Sequence, residues 1–299
     1  MKIAAVIPAY NSAQFLPECL DSVLSQTYPV AEIIVVDDGS QDSTREVVES
    51  YPAPVRYLWR PNGGVSAARN MGIRESTCPW VAILDADDQW EPHKIERQVE
   101  AIAVDPLAAF CYTGCVRVYP DGTRVPGLAV PAGKLWPRLR YGNPVNFSSV
   151  LMRRDLLLAT GGFDEKLKAC EDWEFACRMI RAFPIVAVEE PLVVYRVHYD
   201  SLSYDLDAML GAMGPLLEKG PLKNLTGMER WWWRRRCLSA EIYRCALRAR
   251  EMRLPWKTWA LCLRSIATWP FPFFMPYRYK SLLIYTLQPK FPGGRARDA

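Results

Sequence analysis

The sequence predicts an α/β protein: a mostly parallel central sheet, then a mixed half, then a helical C-terminal extension. Three observations lead there. Short apolar runs alternate with helix-period segments through the first 90 residues. From Ala108 that rhythm yields to longer strand-like runs broken by proline and glycine. Beyond residue 205 the chain becomes helical, basic and tryptophan-rich. The expected division is 1–105, 106–205 and 206–299. At 299 residues, 50% hydrophobic and 23% charged, the chain can bury a sizeable core. No heptad or longer repeat recurs.

The elements follow in order. Ile3–Ile7 is a continuous apolar run, as expected for a strand covered on both faces, and is too short for a signal peptide. Phe15, Leu16, Cys19, Leu20, Val23 and Leu24 then recur at helical spacing, with Asn11 and Ser12 as capping candidates. Glu32–Val36 is the second strand, stopped by Asp37-Asp38-Gly39-Ser40. A helix near Ser43–Ser50, a strand at Val55–Trp59, a helix at Val65–Glu75 and a strand at Trp80–Leu84 complete a parallel, right-handed pattern. Phe110–Val118 reads as a strand, Asp155–Thr160 and Glu171–Ala182 as helices, and Ile185–His198 as strands. Pro120–Gly133 is a surface loop or a lid. No stretch reaches 18 uncharged apolar residues: Trp259–Tyr277 contains Arg264 and three prolines. A spanning helix is not expected.

Charge is unevenly placed. Residues 221–299 hold 16 Lys and Arg against 4 acids, a net +12, so the first 220 residues carry −8. Nine cysteines include no CxxC pair, which fits reduced thiols rather than disulfides or a zinc site.

In doubly wound sheets ligands bind beyond the carboxyl ends of the strands. Four such ends carry Pro8–Asn11, Asp37-Asp38, Arg60–Gly64 and Asp85–Asp88. Residues i and i+2 leaving a strand point the same way, so Asp85 and Asp87 can face one ligand. Two carboxylates that close repel unless a cation lies between them, and hard oxygen ligands suit Mg²⁺ or Mn²⁺ holding a diphosphate. Asp88 reads equally as a turn or capping aspartate. Asn62-Gly63-Gly64-Val65-Ser66 is not a GxGxxG fingerprint, and no GxxxxGK[ST] occurs. Dehydrogenase and P-loop chemistry are therefore set aside.

Six segments occur in one order: VIPAYN (Val6–Asn11), VVDDGS (Val35–Ser40), PNGGVSAARN (Pro61–Asn70), LDADD (Leu84–Asp88), GGFDE (Gly161–Glu165) and CEDWEF (Cys170–Phe175). Together, over about Lys2 to Ser203, they resemble the inverting family 2 glycosyltransferases of the GT-A fold, of the bacterial cell-surface polysaccharide type. The resemblance implies a nucleotide-binding half at 1–105 and an acceptor half at 106–205. It implies that Pro8 and Tyr10 flank the nucleobase and that Asp38 bonds a uracil imide. Gly64 and Arg69 would line the ribose and diphosphate, with Asp85 near the ribose. Asp87 would ligate Mn²⁺ or Mg²⁺, and His198 would close over the metal or diphosphate. Asp172 would be the catalytic base, with neighbouring Glu171 as its rival. Trp90 and Gly162 are acceptor-side candidates.

Each role has a plainer counterpart. Arg69 can form a helix-surface ion pair, and Asp172 can be a helix-N-terminal charge. Trp90 can be core, and His198 a surface histidine. Burial beside Trp173 would raise Asp172 toward the working range of a base. His93, opening a helix, reads as structural.

The expected activity is metal-dependent transfer of a hexosyl or N-acetylhexosaminyl group from a nucleoside diphosphate sugar, UDP-linked, to a glycan or lipid-linked acceptor. The competing readings are a sugar nucleotidyltransferase, which would need a Gly- and Lys-rich first loop, and a catalytically silent membrane scaffold. Trp231-Trp232-Trp233-Arg234-Arg235-Arg236, the face of Trp256, Trp259, Leu263 and Ile266, and Pro270–Pro276 suggest in-plane attachment to an anionic membrane. That would place a cytoplasmic protein on the inner face of the cell membrane. The tail also serves as packing or a homodimer contact in the alternative readings; the acidic body argues against nucleic acid.

Overall fold

The structure is a computed structural model that describes residues 1–271 and 278–282. Part of the aromatic run at Pro270–Pro276, and Lys290, Arg295 and Arg297 of the basic tail, lie outside the described residues. The chain divides into two compact units, 1–198 and 199–299.

In the first unit, β1 (Ile3–Ala9), α1 (Leu16–Leu24), β2 (Glu32–Asp37), α2 (Thr44–Glu49), β3 (Val55–Trp59), α3 (Val65–Glu75) and β4 (Trp80–Ile83) follow the expected alternation. There follow β5 (Gln89–Trp90), α4 (Lys94–Val104), β6 (Phe110–Val118), β7 (Arg124–Gly127), α5 (Ala132–Leu139), a 3-10 turn at Phe147–Ser149, β8 (Leu151–Arg153), α6 (Arg154–Ala159), α7 (Glu171–Ala182) and β9 (Ile185–Arg196). Among the described residues these strands form one sheet in the order β3-β2-β1-β4-β8-β6-β9-β5, with β7 beside β6. The first four run parallel, so their carboxyl ends share one edge. β8 joins antiparallel to β4, and β9 pairs parallel with β6.

Every residue of β1 is buried, as its unbroken apolar run requires for a strand covered on both faces. Ile3, Ile7, Leu16, Leu20 and Ile33 share one core with Trp90 and Ile95. α3 lies close on the sheet because Gly72 lacks a side chain: a Cβ there would meet Val6 Cγ1 at 2.4 Å. Asn11 does not cap α1. Its backbone turns to φ +48° and its side chain instead accepts from Gln41 N–H at 2.8 Å, tying the β1 loop to the β2 loop. All nine cysteines are free, and eight of them are buried.

The second half held two departures. Within Pro120–Gly133 lies β7, exposed at every position and carrying Pro126, so it lacks the alternation that marks a half-buried strand. The strands expected over Ile185–His198 are one strand, β9, whose pairing with β6 shifts register at Gly114.

The second unit contains α8 (Leu206–Lys219), α9 (Gly227–Glu251) and α10 (Pro255–Thr268). Leu206, Ile242, Cys245, Ala246, Leu261 and Cys262 form its core. Glu241 is buried in α9 and answered by Arg244 at 2.5 Å and Arg248 at 3.1 Å. No helix of the described residues is long and apolar enough to cross a membrane.

Gly72→Ala should lower the unfolding free energy by about 1–3 kcal/mol, because the new methyl overpacks Val6. Urea unfolding measures this, and an unchanged midpoint would contradict the close packing of α3.

Candidate active site

The four parallel strands deliver their following loops to one edge, and these loops hold one another. Asp38 receives Gly64 N–H at 2.7 Å and Gly63 N–H at 3.1 Å, with Arg60 Nη1 at 3.2 Å. Asp37 accepts from Tyr57 Oη–H at 2.6 Å and Ser40 N–H at 2.8 Å. Gly64 takes φ +92°, a backbone that favours glycine, and leads into the N-terminus of α3. Pro8 is buried within β1, whereas Tyr10 beyond its end is 50% exposed. Asp38, at 3% exposure, thus builds the β3 loop, a task the sequence did not disclose.

Arg69 is placed differently from the diphosphate contact that the resemblance implies. It is 3% exposed, with Nη2 2.7 Å from Asp85 and Nη1 2.8 Å from Glu171. Phe163 lies 5.3 Å from its guanidinium. Each terminal nitrogen donates to one carboxylate, so Arg69 joins the end of β4 to the start of α7.

Asp172 follows Glu171 in the first turn of α7. Its carboxylate accepts from Asn143 Nδ2–H at 2.9 Å and from Trp173 N–H at 2.6 Å. Trp173 is anchored by its indole N–H to the Leu139 carbonyl at 2.6 Å. Loss of hydration, and next the Glu171 charge, push Asp172 up to about 7; Arg69 and the two hydrogen bonds pull the other way. This is the direction expected beside Trp173. Asn143 was missed, since one asparagine in an irregular stretch carries no motif.

Asp87 and His198 meet: Oδ2 lies 2.7 Å from Nε2, and both side chains are about a quarter exposed. Phe15 stacks on the imidazole at 5.6 Å, and Arg196 packs over Phe15 at 4.9 Å. Asp88 proves to be a buried strut. It accepts from Ser148 Oγ–H at 2.6 Å and from Arg196 N–H at 3.0 Å, fixing β9 two residues before His198. Ser148 carried no signal in the sequence, and Phe15 read only as an apolar position at helical spacing. Burial and the charges of Asp87 and Asp85 hold Asp88 well above the usual carboxylate range. A crowded acidic turn with an imidazole beside it is a donor set that Mn²⁺ or Mg²⁺ fits. Among the described residues no group of three or more His, Cys, Asp or Glu side chains could hold a metal.

Two acceptor-side candidates are corrected. Trp90 is 3% exposed, donates its indole N–H to the Ser148 carbonyl at 2.7 Å and carries the Lys94 Nζ 4.0 Å from its ring centre. It is core and cannot line a sugar. Gly162 has φ +68°, and a Cβ there would stand 2.3 Å from Asn70 Oδ1. Its close approach is to Asn70, which bonds the Phe163 backbone, rather than to an acceptor. Glu171, the rival base, is buried against Arg69. His93 opens α4, as read, and its exposed imidazole lies 3.0 Å from Glu96.

A family model described as glycosyl transferase family 2 matches residues 4–157, and another, glycosyltransferase-like family 2, matches 141–234. An uncharacterized glycosyltransferase of Rickettsia conorii is 33% identical over 207 residues, covering 66% of this chain and 34% of that protein. The chain thus spans about a third of that relative's length. S. aureus TarS 1–349 in complex with UDP-GlcNAc is similar in structure at TM-score 0.60 and 19% identity, covering 98% of this chain and 93% of that chain. The mannosyltransferase PcManGT of Pyrobaculum calidifontis, in complex with GDP-Man and Mn²⁺, gives TM-score 0.56 at 19% identity, over 96% and 86% of the two chains. The sheet with its mixed second half is therefore the GT-A fold. The chain belongs to glycosyltransferase family 2.

Arg69→Met keeps the bulk but strands Glu171 without its partner. Thermal unfolding should register a loss of about 3–5 kcal/mol. Near-native stability would mean that the bridge is not a buried charge pair.

Proposed function

We propose that this chain is a metal-dependent inverting glycosyltransferase that moves a sugar from a nucleoside diphosphate sugar, UDP-linked, to a hydroxyl of a glycan or lipid-linked oligosaccharide. The observation that carries the reading is the placement of Asp172 next to Glu171, which Arg69 ties to Asp85, two residues before the Asp87–His198 pair; burial raises the Asp172 carboxyl to about 7. TarS holds UDP-GlcNAc and PcManGT holds GDP-Man with Mn²⁺, which supports a nucleotide sugar on this fold.

Tyr10 offers an aromatic face to the nucleobase, and Pro8 supports it from within β1. Each carboxylate oxygen has two lone pairs, so Asp38 can hold Gly64 and still accept an imide N–H. Gly64 leaves room for the ribose at the start of α3, and Asp85, turned by Arg69, faces the same space. Asp87 and His198 would hold Mn²⁺ or Mg²⁺, which when bound neutralises the negative charge that develops on the departing diphosphate. Asp172 takes the acceptor's proton as that oxygen forms its bond to the anomeric carbon. The bond from that carbon to the diphosphate oxygen breaks, and the nucleoside diphosphate leaves. One displacement inverts the anomeric centre and needs no covalent intermediate.

A base near 7 works only when ionised, so turnover should rise as pH climbs through about 7 and then level off. Asp172→Asn should keep donor binding and lose about 10²–10⁴-fold in turnover. Glu171→Gln, whose amide oxygen can still accept from Arg69, should lose far less turnover than Asp172→Asn and move the rising limb to lower pH, because it removes the charge that raises Asp172. If Glu171→Gln is dead and Asp172→Asn active, the roles are reversed.

A further inference from the structure

The helix α10 is amphipathic in the wrong sense for a surface helix in water. Its inner positions Thr258, Leu261, Cys262 and Ser265 are buried, with Ser265 hydrogen-bonded to Ser239 of α9. The outer positions Trp256, Ala260, Leu263 and Ala267 recur at i, i+4, i+7 and i+11, and all are exposed. Trp256 is 83% exposed, and Trp259 and Leu263 are each 37% exposed. An indole left this open gains nothing from folding. Polar residues belong on such a face, and apolar ones stand there.

The surroundings are cationic. Residues 227–271 contain ten Lys and Arg against three acids. One of those acids, Glu241, is buried and answered by Arg244 and Arg248. Arg253, Lys257 and Arg264 flank the stripe, all exposed. Lys257 touches Asp207 at 3.4 Å, an exposed pair of little strength. Within α10 itself there is no acid.

The structure also redistributes the tryptophans that the sequence pointed to. Trp269 is buried and packs on Trp232, while Trp232 and Trp233 flank the buried Arg236. These build the unit rather than face outward. The tryptophans of α10 do face outward.

We infer that the outer face of α10 is a docking surface for an anionic lipid bilayer, lying in the interface plane with Trp256, Trp259 and Leu263 entering the headgroup layer. Tryptophan favours that layer, and flanking Lys and Arg meet anionic headgroups. A second copy of this chain is the poorer occupant, because a two-fold contact sets the same cations against each other. Nothing in this surface depends on how the cleft is read.

Flotation of the full chain with phosphatidylglycerol-containing vesicles, pure phosphatidylcholine vesicles and no lipid tests it. The chain should float with the anionic vesicles, far less with the neutral ones, and release as salt rises. W256S/W259S should lose about tenfold in partitioning, and Trp256→Ser alone several-fold. Trp256 is so exposed that its replacement leaves the fold intact, which circular dichroism checks. Failure of the chain to float overturns the inference, as does unchanged flotation of the variants. So does a dimer in sedimentation that W256S/W259S dissociates while the wild type ignores lipid.

Discussion

Arg69 is held between Asp85, at the end of β4, and Glu171, at the start of α7, and the rest of the cleft is arranged around that bridge. A buried guanidinium is costly to desolvate, and it persists here because each arm meets a carboxylate squarely. The geometry does two things at once. It fixes the direction in which Asp85 leaves the strand, and it fixes the helix turn that presents Asp172. It also sets the charge around Asp172: Glu171 pushes its carboxyl up, and Arg69 restrains that rise. The end of β4 and the start of α7 are thereby joined through one side chain.

A second set of contacts organises the other side. Asp88 holds Ser148 and the backbone of Arg196, so the end of β9 is pinned to the turn after β4. His198 is then brought to Asp87, and Phe15 covers the imidazole. Three aspartates in four residues are electrostatically expensive. One is spent on Arg69, one on hydroxyl and backbone donors, and one on His198. The last is the one that the proposed cation would use.

The parallel half of the fold was legible because its strands are continuous apolar runs and its helices are regular. The Asp85-Ala86-Asp87 turn was legible for the same reason, since alternation along a strand is a local property. The Glu171-Asp172 pair stood out as first-turn acids. What sequence could not reveal was pairing at a distance. Arg69 meets a partner 102 positions away, so its role as a bridge had no local sign. Trp90 and Gly162 were misjudged because burial is set by what packs on top of a residue: the Ser148 turn covers one and Asn70 the other. β5, of two residues, is too short to show a period, and α5 hides behind its internal Pro137.

On the proposed function, a cation seated at Asp87 and His198 would hold a nucleoside diphosphate at this edge of the sheet. Calorimetric titration of UDP into the full chain, with and without Mn²⁺, tests it most directly, with GDP and dTDP alongside. The expected result is UDP binding that is tight with Mn²⁺ and at least about tenfold weaker without it. Binding of GDP or dTDP in preference to UDP would overturn the assignment of the base through Asp38 while keeping the donor class. Equal binding with and without metal, or no binding of any nucleotide to the folded chain, would contradict the account.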